Sequence, residues 1–194
     1  METLLIKNGI IVDGTGKDSF PGNVLVEKDK IAAVFRENEA VPPAEKEIDA
    51  TGCIISPGFI DMHSHSDWII PHSWSKNLLK HSLEQGITTI VGGNCGFSPA
   101  PVTNKSKKFL DDFLSHLLAE EPFDYKWHSM GEYLDCMEEN PPVINIAELV
   151  GHVALRYCVA GNSRKKMSSN ELKESLELTK TSLDEGACGL SFGL

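Results

Sequence analysis

A chain of 194 residues, 41% hydrophobic and 24% charged, has the make-up of an ordinary soluble protein with room for one sizeable core or two small ones. Its formal net charge of −10 counts against nucleic acid as a partner, because phosphate binding needs clustered Lys and Arg. The opening METLLIKNG is too short in apolar residues for a signal peptide and nothing later approaches membrane-spanning length, so a cytoplasmic protein with no membrane partner is expected.

Residues 3 to 55 read as short strands, TLLIKNGIIVDG, GNVLVEKDKIAAVF and EIDATGCIISPG, punctuated by turn signals at Asn8-Gly9, Pro21-Gly22 and Asp29-Lys30. From Gly58 strands alternate with amphipathic helices, the pattern of parallel β/α units. GFIDMHSH is the first strand of this part, followed by a helix over Ser75–Gln85 that Gly86 stops, and then by the strand ITTIVGGNCG. The basic run Lys105–Lys108 reads as a solvated helix start. In the helix over Lys107–Glu120, Phe109, Leu110, Phe113, Leu114, Leu117 and Leu118 form one apolar stripe for core packing. Ser129 and Glu132 make a capping box, Pro141-Pro142 breaks the chain before the strand VINIAELVGH, and Ser168 and Glu171 repeat the box. The helix that follows carries Leu172, Leu176 and Leu183, is closed by Gly186, and leads into the strand ACGLSFGL.

Side chains two apart on a strand share a face, so His63 and His65 project into one space. The 30 positions from His65 to Cys95 fit one strand-helix-strand unit, whose parallel strands have neighbouring carboxyl ends, and Cys95 can therefore reach the same point. Imidazole with thiolate favours zinc over magnesium or calcium. Alone, an HxH pair also arises from packing or surface placement. Asp61 and Asp67 are available to orient the imidazoles, or serve as turn and cap acids. His152 lines the same mouth or is a structural histidine, while Arg156 ties down the following loop or meets substrate. His72, His81, His116 and His128 read as solvent-facing. Cys53, Cys136, Cys158 and Cys188 read as inert small hydrophobes.

PGFIDMHSHSDW with the upstream IDATGCIIS resembles the amidohydrolase superfamily, in which an N-terminal β segment leads into a (β/α)8 barrel opened by HxH. QGITTIVGGNCGFSPAP, NIAELVGHVALR and EGACGLSFGL are similar, in order and approximate spacing, to successive motifs of the N-acyl-D-amino-acid deacylase (D-aminoacylase) family. The resemblance implies an α/β chain. Residues 1–56 would be part of a small β-sandwich, and 57–194 about the first four strands of an incomplete (β/α)8 metal-dependent hydrolase barrel, truncated at its C-terminal end. It implies that His63 and His65 are metal ligands and that Cys95 holds or bridges zinc where dihydroorotase-like relatives use a carboxylated lysine. The remaining ligands and the general acid/base aspartate would lie beyond Leu194, which leaves no catalytic residue within the chain. The implied activity is zinc-dependent hydrolysis of N-acyl-D-amino acids. The alternatives are a hydantoinase- or deaminase-type activity, or a non-catalytic truncated module. Half a barrel exposes strand edges and apolar faces, so self-association is expected.

Overall fold

Short apolar runs between turn residues make the first compact unit, Met1–Gly58, all β. The computed structural model describes residues 2–72, 75–118 and 126–193. Strand β1 (Thr3–Ile11) is central: it pairs antiparallel with β2 (Phe20–Glu27), which pairs antiparallel with β3 (Lys30–Arg36). On its other side β1 pairs in parallel with β4 (Lys46–Asp49) and then β5 (Ile54–Ile55). Leu5, Ile11, Val24 and Leu25 are buried, whereas Ile10, Ile31, Ile48 and Ile54 are exposed. The turn into β3 falls at Lys28-Asp29, one residue earlier than the sequence pattern places it, with Lys28 left-handed at φ 57°.

In the second unit, Phe59–Leu194, the alternation of strands and helices produces a curled sheet of four parallel strands. In order these are β6 (Phe59–Asp61), β7 (Ile87–Gly92), β8 (Asn145–Gly151) and β9 (Gly189–Ser191). The helices are α1 (Ser75–Glu84), α2 (Asn104–Leu118), α3 (Met130–Glu139), α4 (His152–Ala160) and α5 (Ser169–Asp184). Asp61 lies opposite Ile90, Gly92 opposite Glu148 and Gly151 opposite Ser191, so the carboxyl ends of the four strands gather along one rim. Trp68, Ile90, Leu110, Trp127, Met130, Tyr133, Val150 and Leu155 are buried in one cluster. Within it the Trp127 indole donates to the Pro99 carbonyl at 2.9 Å and its ring meets Tyr133 edge-on at 5.1 Å.

Both capping boxes form: the Ser129 hydroxyl accepts from the Glu132 amide and the Ser168 hydroxyl from the Glu171 amide. Gly86 and Gly186 take left-handed backbones after their helices. Three features depart from the sequence pattern. Strand β6 ends at Asp61, because only the Ser64 amide continues the pairing with β7, through the Val91 carbonyl, before the chain enters a 3-10 turn over Ser66–Trp68. Helix α4 has no start signal in the sequence, because its N-cap is Gly151, which has no side chain to announce a helix start. On α5, Leu172, Leu176 and Leu183 face outward, and the buried positions include Ser175 and Ser182. Of the α2 stripe, Leu110 is buried; Phe113, Leu114, Leu117 and Leu118 lie outside the described side chains.

Candidate metal centre

The strand rim carries the candidate ligands on the segments that follow β6 and β7. His63 and His65 stand on the loop after β6, and so strand alternation is not what directs them. They converge all the same, with ring centroids 5.6 Å apart. The Asp61 carboxylate accepts from the His63 backbone amide at 3.1 Å, making Asp61 the acid of the turn that presents His63. Burial, then the neighbouring His63, holds His65 below the ordinary imidazole range, which keeps its ring neutral and able to donate a lone pair.

Cys95 arrives from the other side on a 3-10 turn, Asn94–Gly96, directly after β7. Its own backbone is left-handed, at φ 56° and ψ 23°, a conformation that a side chain other than Gly, Asn or Asp seldom adopts. The turn is held by the Asn94 side-chain amide donating to the Val91 carbonyl at 2.7 Å and by the Gly93 amide donating to Asp67 Oδ2 at 2.8 Å. A Cβ on Gly93 would overlap the Leu149 carbonyl, so only glycine lets the turn close on β8. The outcome is a Cys95 Sγ 3.2 Å from His63 Nε2, with one donor atom from each of His63, His65 and Cys95 all within 4.8 Å of one another. Two exposed imidazoles and a half-buried thiol at such separations fit a zinc-type ion.

Asp67 serves a different purpose from orienting an imidazole. It is fully buried, takes the Gly93 amide, and its backbone carbonyl accepts from the Tyr133 hydroxyl at 2.8 Å. Glu148 on β8 is buried beside it, and neither of its carboxyl oxygens has a hydrogen-bond partner among the described residues. Burial raises the Asp67 acid to about 6 and Glu148 well above the usual carboxylate range. Glu148 escaped sequence reading because one acid in an apolar strand has no spacing signal. His152 opens α4 with its ring against Phe192, centroids 5.2 Å apart, and its buried Nδ1 has no hydrogen-bond partner among the described residues. Arg156 ties down its loop by donating to the carbonyls of Ser163 and Lys165.

The other histidines and cysteines are scattered. His81 and His128 are exposed, while His72 is half-buried and its imidazole is depressed by burial first, contrary to a solvent-facing reading; the side chain of His116 lies outside the described residues. Cys158 is buried, Cys136 half-buried, and Cys53 and Cys188 are exposed rather than packed as small hydrophobes.

The profile of the amidohydrolase family matches residues 46–193. The chain belongs to the amidohydrolase family. Among its relatives in that family, it is 34% identical over 193 residues to an N-acyl-D-glutamate deacylase and 30% identical over 190 residues to a D-aminoacylase, both of Alcaligenes xylosoxydans xylosoxydans. Each alignment takes in 98% of this chain, which spans 37% of the length of either relative. The solved amidohydrolase N-acyl-D-glutamate deacylase of Bordetella bronchiseptica, complexed with zinc and a phosphonate that mimics the tetrahedral intermediate, superposes with a TM-score of 0.81 at 33% identity, over 98% of this chain and 38% of its own. Among the described residues no helix is long and apolar enough to cross a membrane.

Proposed function

We propose that this chain is the metal-binding first half of a zinc-dependent deacylase acting on the linear amide of N-acyl-D-amino acids. Residues 1–56 would then form part of a small β-sandwich and 57–194 the first four strands of a (β/α)8 barrel. The observation that carries the reading is the convergence of His63, His65 and Cys95 at the carboxyl ends of β6 and β7, in a chain similar to two named deacylases. Zinc held there supplies Lewis acidity toward an amide carbonyl and a nucleophile at neutral pH. The chain's own contribution is positional. His65 stays neutral, the His63 turn is fixed through Asp61, and the left-handed turn aims Cys95 at both rings. His152 and Phe192 would wall the substrate side of the same rim. On this reading the proton shuttle and the substrate-carboxylate contact would come from the part of the relatives' length that this chain does not span.

The test uses the complete reading frame that contains this chain. It should release D-amino acid from N-acyl-D-methionine, and Cys95→Ala should lower kcat/KM about a hundredfold or more, as chelation should. Turnover of a hydantoin without action on N-acyl-D-amino acids would refute the assignment in favour of a cyclic-amide hydrolase.

A further inference from the structure

The residues that hold Cys95 are drawn from a strand almost a hundred positions away. Ser191 is the last residue of β9, and its hydroxyl lies inside the 93–96 turn. It accepts from the Gly96 amide at 3.0 Å and donates to the Gly93 carbonyl, so one side chain closes both ends of the turn with Cys95 between them. The next residues extend the clasp: Gly193 packs against Cys95, and a Cβ there would overlap the Cys95 carbonyl oxygen. From the opposite side Gly151, which pairs with Ser191 in the β8–β9 register, lies against the Gly96 carbonyl with the same lack of room for a side chain. On the β7 side, Asp67 takes the Gly93 amide.

This arrangement has a specific consequence for the thiol. A left-handed cysteine is unfavourable by itself and persists only where its surroundings over-determine it. The backbone closes the turn through the Phe97 amide, which donates to the Asn94 carbonyl at 2.9 Å, and the Ser191 hydroxyl is the side-chain group that takes the Gly96 amide beside it. The geometry points to Ser191 as a positioning residue for Cys95: its hydroxyl sets the left-handed turn that directs the thiolate toward His63 and His65. The inference rests on Cys95 being a metal ligand for its functional meaning, while the positioning itself rests on the contacts that Ser191 makes with the turn.

Both parts are measurable on the complete reading frame that contains this chain. With Co2+ as probe, the unsubstituted protein should show thiolate-to-cobalt charge-transfer absorption that Cys95→Ala removes. Ser191→Ala should bind Co2+ about tenfold more weakly with a fainter band, the scale found when groups that orient a ligand are removed. Ser191→Thr, which keeps the hydroxyl, should restore both. Without metal, peptide-resolved iodoacetamide labelling should modify Cys95 of Ser191→Ala roughly threefold to tenfold faster, as expected from the loss of a net hydrogen bond, and leave the buried Cys158 unchanged. Equal acceleration at Cys95 and Cys158 would mean general loosening and would overturn the inference, as would Ser191→Ala behaving like the unsubstituted chain in both assays. Selective acceleration at Cys95 in a chain that shows no thiolate band would sustain the positioning role and refute the metal reading.

Discussion

At the scale of single residues, the chemistry of this chain depends on where polar groups are buried. Glu148 is a long acid placed on a parallel strand with Asp67, Tyr133 and Cys188 around its carboxyl group. Burial first, then the Asp67 charge, raises its pKa well above the ordinary carboxylate value. Because the folded value exceeds the unfolded value of about 4.3, the folded state holds the proton more tightly. The stability it contributes is therefore complete below about pH 4.3 and is lost as pH rises through the folded value. Glu148→Gln keeps the shape and removes the titration. Its denaturant midpoint should fall less steeply than that of the unsubstituted chain between about pH 5 and 8; parallel curves would show that Glu148 does not hold its proton. The candidate ligands were legible because HxH and GNCG carry a chemical spacing, whereas Ser191 and Glu148 were not. A serine in LSFGL and a glutamate in an apolar run acquire their roles from strand register, which no local pattern encodes.

At the scale of elements, legibility followed local signals. Helices α3 and α5 begin where Ser129 and Ser168 stand three residues ahead of Glu132 and Glu171, and in both the acid returns to the N-cap amide. Each of these boxes satisfies two donors that the helix itself leaves free. Ser129→Ala and Ser168→Ala should each lower stability by about 1 kcal/mol in urea melts, with Glu132→Ala adding little to Ser129→Ala because the two groups act as one unit. Full additivity would mean that the reciprocal bonds are independent. Helix α4 and the short β6 were illegible for the opposite reason. Gly151 gives no capping side chain, and the apolar HVALRYCVA is equally a strand by periodicity. The end of β6 is decided by where β7 stops pairing, and the histidines reach one point through the Asp61 turn rather than through strand alternation.

At the scale of the whole molecule, the parallel sheet leaves β6 and β9 without an outer neighbour among the described strands. Parallel sheets are normally covered on both faces and at their edges. Here Phe59, Ile60, Met62 and Phe192 are exposed around those two strands, and Leu172 and Leu176 are exposed one turn apart on α5. The first unit adds Ile31, Ile48 and Ile54. The alternation of strands and helices was enough to read the β/α order of this unit, but exposure could not be read from it, since an apolar strand looks the same whether or not its partner is present. Apolar area on this scale is removed from water by association, at about 25 cal/mol per Å2 buried. The 194-residue chain should therefore form oligomers whose mass rises with concentration in light scattering. Leu172→Lys with Leu176→Lys should reduce that mass by placing charge on the exposed face of α5 without touching the metal rim. If the unsubstituted chain stays a monodisperse monomer over about a tenfold range of concentration, the exposed faces are not sticky and the expectation of self-association is wrong.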